Sequence, residues 1–160
     1  MRVLGVDFGP RQIGLAVSDE TGFLARPLRS LRVERIREAP EAVADVAREE
    51  EADSIVVGMP VGLEGEEGRP ESHRVLRFAK ALRAATGLPV HLEDESLSSR
   101  EARELPSGLR RGARGAAERE HSRAAAILLQ RWLDGRASGR RSPTRGSNQG
   151  SESGSGEAGA

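Results

Sequence analysis

The N-terminal segment constrains the fold most. Two short runs dominated by apolar residues, RVLGVD at 2–7 and QIGLAVSD at 12–19, are separated by the turn signal Phe8-Gly9-Pro10. Such a pair reads as a β-hairpin. The first run closes on Asp7, and an acid at that place is poorly explained as packing. A buried charge without a partner is expensive, so a carboxylate in an apolar strand holds a cation or acts in chemistry.

The rest of the chain alternates between strand-like and helix-like segments. Residues 23–33 (FLARPLRSLRV) are expected to give a third strand, with Pro27 marking either an edge strand or the beginning of one. From Ile36 to Glu50, the apolar residues Ala39, Val43, Val46 and Ala47 keep helical spacing on an acidic segment, which predicts an amphipathic surface helix. Ile55-Val56-Val57-Gly58 is short, β-branched and apolar, as expected of a buried parallel strand. The stretch from Val61 to Pro70, with three glycines and three glutamates, reads as a loop, and Val75 to Ala85 returns to helical spacing until Gly87. Leu88 to Leu92 is the next strand, and Glu93, Asp94 and Glu95 follow it.

Ser98 or Ser99 can cap a helix running to about Leu105, and Pro106-Ser107-Gly108 ends it. Residues 107–117 are rich in Gly, Ala and Arg and read as a mobile loop. A last helix, roughly Glu118 to Leu133, buries Ala124, Ala125, Ile127, Leu128 and Leu129 and stops at Gly135. Beyond it, residues 135–160 lack any large apolar side chain and are expected to be a disordered tail. One domain over 1–134 results, a mixed α/β sheet flanked by helices.

Composition narrows the chemistry. With no cysteine, disulfides, zinc thiolates and thiol nucleophiles are excluded, and with 2% aromatic residues, recognition by stacked aromatic platforms is not expected. No apolar run approaches the roughly 20 residues that span a bilayer, so no membrane partner and a cytoplasmic location are expected. Formal net charge is zero, but the signs are segregated. Residues 1–99 carry 13 basic and 18 acidic side chains, a balance of −5, whereas residues 100–145 carry 12 and 5, a balance of +7. That basic half offers a local surface for a polyanion.

Ligands of open α/β sheets bind outside the carboxyl ends of the strands, where Asp7 and the acids at 93–95 both fall. If those strands are neighbours, carboxylates from two of them converge. Oxygen ligands from two or three acids select hard cations such as Mg²⁺ or Mn²⁺. Two such ions about 3.5–4 Å apart serve phosphodiester cleavage by activating a water and stabilising the leaving oxygen.

Four stretches in order, GVDFGPRQIGLAVSD at 5–19, IVVGMPVGLEGEEG at 55–68, EDESLSSREA at 93–102 and HSRAAAILLQRWLD at 121–134, carry a specific resemblance. Over about residues 1–134 the chain resembles the YqgF/RuvX family, RNase H-like proteins described as Holliday junction resolvase-like or as pre-16S rRNA nucleases. The resemblance implies an RNase H-like fold, a mixed five-stranded sheet in which antiparallel N-terminal strands precede parallel ones. It also implies a metal-dependent endonuclease acting on structured nucleic acid in ribosome biogenesis, while monomer and homodimer are both left open by the sequence. Branched DNA is the alternative substrate, and a non-catalytic RNA-binding assembly factor is the alternative function.

Carried over position by position, the first-strand acid is Asp7 and the acid of the family's Asp-Glu-Arg-Leu-Thr-Thr motif is Glu95, the two implied metal ligands. The third acid, an Asp at the start of the final helix, falls on His121, which takes its place among the catalytic candidates. An imidazole there can ligate Mn²⁺, is a poor Mg²⁺ ligand, can act as a general acid or base, or can be a plain polar residue near a helix start. Ser96 stands where the motif has Arg, and Ser98-Ser99 replace the two threonines. Arg11 is implied to touch substrate phosphate. Arg110, Arg111 and Arg114 lie in the loop before His121 and form a candidate clamp on a nucleic-acid backbone. Gly9 and Gly14 are expected to serve tight backbone geometry around the hairpin.

Overall fold

The computed structural model describes residues 1–59, 70–94 and 113–139. Five strands form one mixed sheet: β1 (Val3–Phe8), β2 (Gln12–Ser18), β3 (Ala25–Arg32), β4 (Ser54–Met59) and β5 (Val90–Asp94), in the spatial order β3-β2-β1-β4-β5. The first three make an antiparallel meander, and β4 and β5 run parallel to β1. The expected hairpin is present, with the Gly9 N–H donating to the Gln12 carbonyl at 3.1 Å to close its turn.

Helices cover both faces. A short 3₁₀ turn at Ile36–Glu38 leads into α1 (Ala39–Glu49), α2 is Pro70–Thr86, and α3 is Ala113–Ala137. Because β1, β2 and β4 are enclosed from both sides, they read as nearly unbroken apolar runs rather than alternating ones. Leu4, Val6, Ile13, Leu15, Ile55 and Val57 point towards α1 and α2 and build the larger core with Val43, Phe78 and Leu82. The intervening residues Val3, Ala16 and Val56 meet Ala125, Leu129, Trp132 and Leu133 of α3. Asp7 follows Val3 and Gly5 at period two, so the strand pleat aims it to the α3 side.

Boundaries differ from the sequence reading in places that bear on the site. β5 extends through Asp94, so Glu93 and Asp94 belong to the strand and Glu93 is buried at 2% exposure. α3 begins at Ala113 rather than near Glu118, and residues 113–117, expected in a loop, are helical. Ala113, Arg114, Ala116 and Ala117 are strong helix formers and carry the helix through Gly115. The helix also passes through Gly135 and ends at Ala137, where Gly139 takes a left-handed φ of 65°. A single interior glycine costs about 1 kcal/mol, which the burial of Trp132 and Leu133 against the sheet outweighs. The helix expected over 98–105 and residues 140–160 of the expected tail lie outside the described residues. No helix among the described residues is long and apolar enough to cross a membrane.

Candidate functional site

Asp7 sits one residue before the end of β1, its side chain 19% exposed, on the face of the sheet that α3 packs against. Directly across the ladder stands Gly14 of β2. A Cβ at Gly14 would overlap the backbone carbonyl of His121, so only a glycine lets α3 approach this closely. Gly5 does the same further down β1, where a Cβ would lie 2.8 Å from Leu129 Cβ. The role of Gly14 is therefore docking of the final helix, not the hairpin geometry expected from sequence, and its φ is not among the positive ones.

That docking carries His121 to Asp7. His121 Nδ1 lies 3.4 Å from Asp7 Oδ2, across 114 residues of chain, and the imidazole is 37% exposed. The ring also leans over the turn after β1, since a Cβ on Gly9 would be 3.6 Å from His121 Cε1. Two of the three catalytic candidates are thus brought together. Glu120 is exposed.

Glu95, the remaining candidate acid, is the first residue beyond β5 and lies outside the described residues. β1, which carries Asp7, and β5, which Glu95 follows in the chain, are not neighbours, because β4 runs between them. With strands about 4.8 Å apart, that places the ends of β1 and β5 about 10 Å from each other. The ladder aligns Gly58 of β4 with Glu93 and Met59 with Asp94, at the same end of the sheet as Asp7. Among the described residues no three His, Asp or Glu side chains converge as a metal site. In kind, a carboxylate oxygen beside an imidazole nitrogen suits Mn²⁺ better than Mg²⁺.

Arg11 is exposed in the turn between β1 and β2, at the Asp7 end of the sheet, with its carbonyl accepting from the Val33 N–H at 3.2 Å. Arg110 and Arg111 lie outside the described residues, and Arg114 falls in the first turn of α3. His91 of β5 is remote from this chemistry. Its ring packs 5.1 Å from that of Trp132, which Arg136 covers at 4.8 Å, and burial, reinforced by Arg136 and Arg83, holds it below the usual histidine value.

Residues 1–135 match the family model described as RuvX, Holliday junction resolvase. A protein of Anaeromyxobacter sp. (strain K) named "Putative pre-16S rRNA nuclease" is 46% identical over 142 residues, covering 86% of this chain and 99% of its own. One of the same name from Syntrophus aciditrophicus is 39% identical over 137 residues, covering 84% and 89%. Among solved structures, T. thermophilus RuvC in complex with a Holliday junction substrate superposes with a TM-score of 0.54 at 18% identity, over 86% of this chain and 96% of that one. The shared fold is the RNase H-like one expected from the sequence.

Proposed function

The chain belongs to the RuvX family, and we propose on that premise that it is a metal-dependent endonuclease cleaving phosphodiester bonds in structured nucleic acid, with a 16S rRNA precursor as substrate. The observation that carries this reading is the junction of Asp7 and His121, where a strand-end carboxylate and an imidazole from the last helix meet at one end of the sheet. Asp7 and Glu95 hold the divalent cation, Mg²⁺ or Mn²⁺, and His121 is the third participant. Bound there, the cation supplies Lewis-acid stabilisation of charge on the phosphate.

Arg11 binds a substrate phosphate from the turn beside Asp7, and Arg110, Arg111 and Arg114, which precede His121 in the chain, close on the nucleic-acid backbone. Contacts of this kind make binding salt-dependent and weakly sequence-specific.

A second reading is favoured by one residue. With His121 where the family pattern has an acid, the same scaffold can bind RNA as an assembly factor without cutting it. Purified protein incubated with a labelled rRNA precursor and with a four-way DNA junction, in Mg²⁺ and in Mn²⁺, separates the readings. Cleavage of the precursor that disappears in Asp7→Asn supports the nuclease. Cleavage of the junction alone moves the substrate to branched DNA. No cleavage of either, unchanged by His121→Asp, sinks the enzyme and leaves the binding factor.

A further inference from the structure

Strand β3 carries three arginines, Arg26, Arg29 and Arg32, all exposed and indistinguishable in sequence. Their surroundings separate them. Arg26 Nη2 lies 3.6 Å from Glu50 Oε2 and Arg29 Nη2 lies 2.8 Å from Glu49 Oε2, so both reach over the C-terminal end of α1 and their charge is offset there. The Arg32 guanidinium has no ion-pair partner among the described residues.

A β-bulge produces the difference. Gly14 is paired with Ser30 and Ala16 with Pro27, so Leu28 and Arg29 together oppose the single residue Leu15. In a regular strand, Leu28 and Leu31 would point to opposite faces. Here both pack on the core beneath α1 and α2. The same inserted residue turns Ser30 and Arg32 to the other face, the one that holds Asp7 and His121.

The row is continuous: Asp7 lies opposite Gly14, and Gly14 opposite Ser30. Arg32 is two residues further along β3, opposite Gln12, at the end of the sheet where Asp7 and Arg11 stand. Two strand spacings of about 4.8 Å and two residue rises of about 3.4 Å put its Cα about 12 Å from that of Asp7. A nucleic-acid strand covers that separation in about four nucleotides at about 3.4 Å each.

Resting on the nuclease reading, we propose that Arg32, together with Arg11, is a phosphate-binding element that holds the substrate strand a few nucleotides from the bond presented to Asp7. Its guanidinium fork matches phosphate geometry in two-pronged fashion, and a contact to backbone phosphate fixes register without reading bases. The bulge is what commits one arginine of three to this task.

Binding can be read without cleavage in full-length Asp7→Asn protein, using the labelled rRNA precursor over a series of salt concentrations. Added to that background, Arg32→Gln is expected to weaken binding about tenfold at low salt and to flatten the log K against log salt slope by about one. Arg32→Lys should keep the slope, and Arg29→Gln should stay within about twofold of the parent. Thermal melts confirm that each variant is folded. Equal losses from Arg32→Gln and Arg29→Gln, or no loss from either, overturn the assignment of Arg32 while the nuclease reading stands. Failure of the Asp7→Asn parent to bind any nucleic acid removes the nuclease reading itself, and this inference with it.

Discussion

The carbonyl group of His121 rests against the Cα of Gly14, so the final helix is seated on β2 at the one position where the strand has no side chain to keep it away. That contact sets the 3.4 Å approach of His121 to Asp7, because Gly14 is also the residue opposite Asp7 in the ladder. Gly14→Ala adds a methyl group that backbone, not a flexible side chain, would have to make room for. Overpacking of this kind costs about 1–3 kcal/mol, and a lifted helix moves His121 from Asp7. Urea denaturation should show the lower stability, and cleavage should fall further than the folded fraction does.

Asp7 is the fixed member of the proposed site, and position 121 decides its donor set. His121→Asp would place a carboxylate beside Asp7 and replace nitrogen with oxygen, which favours Mg²⁺ relative to Mn²⁺. The ratio of cleavage rates in Mg²⁺ and Mn²⁺ should therefore rise in His121→Asp. Asp7→Asn should lower cleavage at least about a hundredfold in both, since losing a single charge-stabilising group at a reacting centre costs that much elsewhere. An unchanged metal preference in His121→Asp would show that position 121 does not touch the cation.

Strand identities and the place of Asp7 were legible in sequence because apolar runs and turn residues act locally. Lateral order was not. Whether β1 and β5 are neighbours depends on where β4 inserts, and nothing within either strand encodes it. Gly14 shows the same limit at one residue: its neighbour in sequence is a hairpin, but its reason is a helix more than 100 residues later. The extra residue in β3 was hidden for a different cause. Leucines three apart, Leu28 and Leu31, violate strand alternation, and only the pairing with β2 shows that an inserted residue puts both on one face. Glu95 lies outside the described residues.

Gln130 ties α3 to the connection between β2 and β3. Its Oε1 accepts from the Ala25 N–H, and its Nε2 donates to the Phe23 carbonyl and to Asp134 Oδ1, all at 2.9 Å. Gln130→Leu removes the acceptor for the part-buried N–H of Ala25, and an orphaned buried donor costs about 1–3 kcal/mol. Chemical denaturation should show a loss in that range. Gln130→Glu keeps an acceptor for Ala25 and places a charge beside Asp134, so it should recover only part of it.

Acid should weaken the fold through His91. Burial against Trp132, with Arg136 and Arg83 nearby, lowers its folded pKa from the ordinary 6.5, so the unfolded chain binds the proton more readily. Between the ordinary value and the lowered one, the unfolded state carries more protons, and stability must rise with pH across that window. The contribution is present in full above the unfolded value and is lost as pH falls towards the folded one. His91→Phe keeps the ring contact with Trp132 and removes the titration. Thermal melts between about pH 7 and about pH 5 should then decline less steeply for His91→Phe than for the parent, while carboxylate-driven losses at lower pH remain common to both. Equal slopes for the two proteins would mean that the His91 ring takes up its proton as easily in the folded chain as in the unfolded one.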